Sequence, residues 1–152
     1  MDPENMPGIV WQIEHTVEAE VSATFAWSFW SNVSNWNDPP NEFVLDGPFA
    51  AGSVGTTRMP GQDPILWRIQ DVVPGTGATI EMELDRATVA FRWRFEAMSE
   101  TRTKLIQRIT LEGENAAAYV GHLDAAFGTL PEGMQRIAAA MTRSASNSIG
   151  AG

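Results

Sequence analysis

Seven large apolar residues in the last third of the chain, Tyr119, Leu123, Phe127, Leu130, Met134, Ile137 and Met141, are spaced by 4, 4, 3, 4, 3 and 4 positions. At about 100° per residue they fall along one line, so the spacing predicts a helix with a single buried face over residues 115–143. Gly121, Ala125, Gly128 and Glu132 fall on the opposite line, which suits solvent. Asn115 is the candidate N-cap, and the polar tail from Ser144 ends the pattern. About 26 residues at about 1.5 Å each make a rod of roughly 40 Å. A rod of that length needs a wall of comparable length, and only the strand-like runs before it can supply one.

Those runs are legible by alternation. From Val10 to Glu20, Trp11, Ile13, His15, Val17 and Ala19 share one face, and Gln12, Glu14, Thr16, Glu18 and Glu20 share the other. Ser22 is placed to cap a short helix in which Phe25, Ala26, Phe29, Trp30 and Val33 recur at helical spacing, and Asp38-Pro39-Pro40 stops it. Six further strands are expected over residues 43–48, 53–59, 65–73, 78–84, 87–98 and 102–112, with Pro74-Gly75-Thr76-Gly77 the strongest turn signal. Short turns between consecutive strands imply an antiparallel meander. The fold class is therefore α+β: a curved antiparallel sheet of about seven strands wrapped around a long C-terminal helix. One domain is expected over residues 9–143, with residues 1–8 and 144–152 as flexible ends.

Composition closes off several functions. The 19 acidic residues outweigh the 10 basic ones, and a net charge of -9 disfavours nucleic acid or an anionic membrane as partner. With no cysteine there is no disulfide, thiolate metal site or cysteine nucleophile, and two histidines, His15 and His122, are too few for a three-histidine metal site. No metal or other cofactor is called for. No apolar run approaches the roughly 18 residues of a membrane span, and the N-terminus lacks the features of a secretion signal. The expectation is a cytoplasmic protein without membrane insertion, with homodimerisation left open.

Alternation also sorts the two faces of the sheet. Ile65, Trp67, Ile69, Ile80, Met82, Leu84, Val89, Phe91, Trp93, Phe95, Leu105, Gln107, Ile109 and Leu111 are expected to point inward. The outward set is charged, and the meander predicts that Glu81 and Glu83 sit beside Arg92 and Arg94 as cross-strand pairs rather than as a polyanion site. One helix cannot fill the whole concavity of a seven-stranded sheet, which leaves room for an internal cavity; a core that packs shut is the alternative.

The stretch Trp11-Gln12-Ile13-Glu14-His15-Thr16-Val17, with Ala26-Trp27 and Asn35-Trp36 after it, resembles the opening of the SRPBCC (START-like, helix-grip) superfamily, in its polyketide cyclase/dehydrase and lipid transport branch. The run from Leu45 to Gly55, containing Gly47-Pro48-Phe49, is similar to a pattern of that branch, as is Leu130-Pro131-Glu132-Gly133-Met134, which in that branch would kink the last helix. The resemblance implies a sheet gripping a C-terminal helix, with a hydrophobic cavity between them. It implies no common catalytic set, since members bind lipids, sterols or polyketides, transform them, or bind proteins. Trp93 departs from the branch, where the equivalent position is often His.

The candidate ligand-binding residues are Trp67, Met82, Phe91, Trp93, Gln107, Leu123, Phe127 and Met134. Gln107 needs a partner, either a neighbouring side chain or a ligand oxygen, because an unpaired buried amide costs roughly 1–3 kcal/mol. His15 is the candidate catalytic residue, with a hydrogen-bonded structural histidine as the alternative; whether the protein is an enzyme stays open. His122 falls off the buried line, and Asp38 is read either as a turn former or as a carboxylate at the cavity mouth. Three functions fit: binding or carriage of a small apolar or aromatic molecule, a cyclase or dehydratase reaction on a polyketide-like compound, or protein interaction. The last requires an exposed apolar patch, and none is visible in the sequence.

Overall fold

The alternation at the start of the chain becomes β1 (Ile9–Ala19), where half-buried and exposed residues alternate without a break from Ile9 to Glu18. The computed structural model describes residues 9–36, 40, 42–127 and 132–151; Asp38 lies outside them. After β1, the Ser22 hydroxyl accepts a hydrogen bond of 3.1 Å from the Phe25 amide and caps α1 (Ala23–Trp30), as the sequence leads one to expect. A 3-10 turn over Val33–Trp36 follows. The meander then runs through β2 (Glu42–Asp46), β3 (Val54–Arg58), β4 (Ile65–Val73), β5 (Gly77–Leu84), β6 (Ala87–Ser99) and β7 (Arg102–Glu112).

All pairings are antiparallel, and the strand order is β1-β7-β6-β5-β4-β3-β2, so β1 and β2 are the two edges. Directly opposed residues in an antiparallel sheet share a face, so the register reads the inner rows across the strands. One row is Ile13, Ile109, Phe91, Ile80 and Ile69; the next is His15, Gln107, Trp93 and Ala78; a third joins Val17, Leu105 and Phe95. These rows reproduce the expected inward set.

Two buried clusters line this concave face. One gathers Ala26 and Trp30 of α1 with Trp67, Ile69, Phe95, Leu105, Met134 and Met141, and the other gathers Val89, Ile109, Leu111, Ala116 and Leu123. Met82 and Phe91 touch both.

The C-terminal region differs from one unbroken rod over 115–143. Ala116–Tyr119 is a 3-10 turn, α2 spans Val120–Phe127 and α3 spans Glu132–Ala151, with residues 128–131 outside the described ones. Apolar spacing is blind to Pro131, which lacks an amide hydrogen and disfavours the helical conformation before it. The stripe itself holds where it is described: Leu123, Met134 and Met141 are buried, and His122 is exposed. α3 also continues beyond Arg143, where the polar tail suggests an end.

The outer face carries ion pairs, but not the expected ones. Register sets Arg92 opposite Thr79 and Arg94 opposite Gly77, while Glu81 and Glu83 oppose Ala90 and Thr88. Glu81 instead meets Arg68 of β4 at 3.7 Å, Glu14 meets Arg108 across β1 and β7 at 3.0 Å, and Arg94 meets Glu96 on its own strand at 3.0 Å. The outward assignment is correct and the partners are displaced, because the tight turn after Leu84 pairs Leu84 with Ala87 and so fixes every later pair.

That turn contains Arg86, a non-glycine residue at φ 55°. Its carbonyl accepts from the Asn115 amide at 2.9 Å, and the Asn115 side chain donates to the Asp85 carbonyl at 3.2 Å. Asn115 thus fastens the start of the helical region to the β5–β6 turn instead of capping with its side chain. The backbone of Gly113 passes so close that a Cβ there would lie 2.6 Å from the Arg86 carbonyl oxygen. A left-handed conformation is costly for a residue with a Cβ. Arg86→Gly is therefore expected to stabilise the protein by about 0.5–1 kcal/mol, seen as a higher urea midpoint at unchanged slope.

Candidate ligand site on the concave face

α1 closes one end of the concave face with aromatic rings. Trp30 lies 5.1 Å from Trp93 and 5.4 Å from Phe95, centroid to centroid, and Trp27 meets Phe95 edge-on at 5.7 Å. Phe49, from the β2–β3 connection, packs edge-on against both Trp27 and Trp30. Such offset and edge contacts are the favourable geometries for rings. At the other end, Leu123 of α2 sits over Val89, Ile109 and Leu111.

Between the two ends the burial changes. Leu105, Ile109, Leu111, Val89 and Ile69 are at most 1% exposed, whereas His15, Gln107, Trp93, Phe91 and Met82 on the same face are only half-buried. β6 and β7 are interior strands, so the exposure of Phe91, Trp93 and Gln107 does not come from a sheet edge. These side chains form a half-buried strip across the middle of the concave face. The strip is apolar and aromatic apart from two adjacent polar groups, because register sets His15 directly opposite Gln107. No hydrogen bond from the Gln107 amide is found among the described residues. None of the inner rows contains a charged side chain; the carboxylates and guanidinium groups that form ion pairs lie on the outer face or in turns.

Trp67, 6% exposed, forms a further wall. Gly55 is its partner on β3, and a Cβ built there would stand 2.2 Å from the indole ring, so the ring lies across the glycine. The indole Nε1 donates to the Thr57 hydroxyl at 3.1 Å, which fixes the ring's direction. Neither Gly55 nor Thr57 stands out by composition, although a lone glycine within a strand signals a close approach. The packing of Trp27 and Trp30 onto Trp93 and Phe95 was likewise hidden from spacing, which shows that residues share a helix face but not what that face meets.

The other candidates are distributed as follows. Met82 and Phe91 bridge the two clusters, Leu123 belongs to the α2 cluster, and Met134 belongs with Trp67 to the α1–α3 cluster. Phe127 ends α2, and its side chain lies outside the described residues. A groove of about 490 Å³ runs between β1 and α3, lined by Val17, Glu20, Ala138, Thr142 and Arg143 among others. Val17 shares the inward face of β1 with His15. A second concavity of about 510 Å³ lies at the β6–β7 turn, between Ser22–Thr24 and 97–100, away from the strip. Among the described residues no helix is long and apolar enough to cross a membrane.

Comparison with solved structures places this architecture. The truncated norcoclaurine synthase from Thalictrum flavum superposes with a TM-score of 0.69 at 12% identity, over 93% of this chain and 97% of that one. The di-domain ARO/CYC StfQ from the steffimycin biosynthetic pathway matches with a TM-score of 0.68 at 13% identity, over 92% of this chain and 52% of that one. Ara h 8.0201 matches with a TM-score of 0.61 at 16% identity, over 90% and 97%. No protein-family model and no curated protein matches the sequence. The helix-grip fold implied by the residues around Trp11 and Phe49 is the fold of this chain.

Gly55→Ala tests the wall directly. The new methyl cannot coexist with the indole, so Trp67 should leave Thr57, lowering stability by about 1–3 kcal/mol and shifting tryptophan emission to the red. A Trp67→Phe background, whose shorter ring leaves the glycine uncovered, should remove most of the emission change.

Proposed function

We propose that the protein binds a small apolar or aromatic molecule in a cavity between the concave face and the C-terminal helices. The observation that carries this reading is the half-buried strip of Phe91, Trp93 and Gln107 on interior strands, with His15 beside Gln107 on the edge strand β1. A core packed shut would bury those side chains as completely as it buries Ile109 and Leu105. Aromatic and thioether surface from Trp93, Phe91 and Met82 suits flat or irregular apolar ligands. Gln107 and His15, side by side, offer hydrogen bonds to a single oxygen-bearing edge. The preferred ligand is therefore a neutral ring-containing molecule with one carbonyl or hydroxyl. A charged ligand would lose its hydration without an inward counter-charge, at a cost of several kcal/mol. The groove between β1 and α3 is the route of entry. A further norcoclaurine synthase structure, which holds dopamine and hydroxybenzaldehyde, supports the reading.

A second reading, cyclisation or dehydration of a polyketide-like compound, rests on His15, an inward imidazole of the kind that serves as a general acid or base. It is separated from simple binding by His15→Ala, which should abolish turnover of such a compound while leaving its affinity within a few-fold.

Native mass spectrometry of freshly purified protein should reveal a co-purified small molecule. With a ligand in hand, Gln107→Leu should weaken oxygen-bearing ligands by about 1–2 kcal/mol and leave a pure hydrocarbon nearly unchanged. Equal losses for both would assign Gln107 a packing role. Binding should also quench or shift tryptophan emission, and Trp67→Phe combined with Trp93→Phe should remove that signal; if the signal stays, the ligand lies elsewhere.

A further inference from the structure

On the convex face, β2, β3 and β4 set three exposed apolar side chains side by side. There Val44, Val54 and Leu66 are 41%, 42% and 63% exposed, and Leu66 is the most exposed large apolar side chain among the described residues. They are contiguous, because Val44 and Leu66 both oppose Thr56 on β3, and Val54 lies on the same face two residues away. Ion pairs bound the patch on both sides, Glu42 with Arg58 at 3.9 Å and Arg68 with Glu81 at 3.7 Å. An apolar patch inside a charged border has the anatomy of a protein contact.

We propose that this face is the interface of a homodimer, with the convex sheets of two copies packed face to face about a two-fold axis parallel to β3. Sheets packed in this way keep their strands within about 30° of each other. The axis exchanges the positions of β2 and β4, and the register then fixes what meets what. Leu66 of each copy lies against Val44 of the other, and Val54 lies against Val54. Asp46, Val54 and Arg68 form one row across the three strands, so Asp46 of each copy meets Arg68 of the other. Asp46 is exposed and has no ion pair among the described residues, and the Arg68 side chain is 53% exposed, so both are available. Arg58 lies on the axis and brings its own Glu42, which balances the charge there. The competing arrangements are worse. A two-fold axis across the strands at Thr56, or edge-to-edge pairing of two β2 strands about Val44, sets Glu42 against Asp46 and repels. The concave face stays open in the dimer, so this inference stands apart from ligand binding.

Sedimentation velocity of the full chain over a concentration series tests it. The parent should show a monomer–dimer equilibrium, and Leu66→Lys should raise the dimer dissociation constant by about tenfold or more. Asp46→Lys should weaken the dimer, while Glu100→Lys, with the same charge change at the distant β6–β7 turn, should not. In this cysteine-free chain, a short bis-maleimide should couple two copies of Val54→Cys far more than two copies of Val73→Cys, although Val73 is itself 56% exposed. Unchanged far-ultraviolet circular dichroism will show that each variant folds. The proposal is overturned if the parent stays monomeric at every concentration, if Leu66→Lys or Asp46→Lys dimerises like the parent, or if the two cysteine variants couple equally.

Discussion

Coverage is the constraint on which the arrangement depends. β6 has 13 residues and, at about 3.3 Å each, extends over roughly 43 Å, whereas a helix is only about 10–12 Å across. A sheet of such strands cannot have its apolar face sealed by one helix lying across it. The chain meets the difficulty with helices at both ends: α1 and α3 over Trp67, Phe95 and Leu105, and α2 over Val89 and Leu111. The middle is left to Phe91, Trp93 and the Gln107–His15 pair. The half-burial of that strip is then a consequence of geometry, and its chemistry depends on which residues the register places there.

The strands were legible because period-2 alternation is a local property, and each observed strand falls within about two residues of its expected span. The Ser22 cap was legible for the same reason. What escaped were relations between segments. Alternation puts Glu81 and Arg92 on one face, but only the geometry of the Asp85-Arg86 turn decides that they are not directly opposed. Apolar spacing joins Leu123 to Met134 in one stripe, whereas the fold assigns them to different clusters, separated by a segment containing Pro131. Asn115 reads as a cap and serves as a tie to a distant turn. For the candidate site, the inward residues were available from the pattern; the placement of Trp67 over Gly55 was not, since it is a contact between two strands.

The two faces of the sheet divide the electrostatics cleanly. The inner rows contain no charge, and the outer face holds the cross-strand ion pairs, such as Glu14 with Arg108 and Arg68 with Glu81. Exposed pairs of this kind contribute little stability one at a time. Their value lies in register: a slip of one residue would carry Arg92 and Glu81 into the concave face and Phe91 and Ile80 out of it. On that outer surface Leu66, Val44 and Val54 are exposed apolar side chains that lie next to one another.

β1 differs from the other strands in how it finds its place. From β2 to β7 each strand pairs with the next in sequence, so short turns bring the partners together. β1 pairs with β7, and its Glu14–Arg108 contact spans 94 residues. The entropy of closing the chain into one sheet is thus concentrated in a single edge strand, while the rest can form hairpin by hairpin. That strand carries His15 to its position beside Gln107, so the polar edge of the strip comes into being only when the longest loop in the molecule is closed.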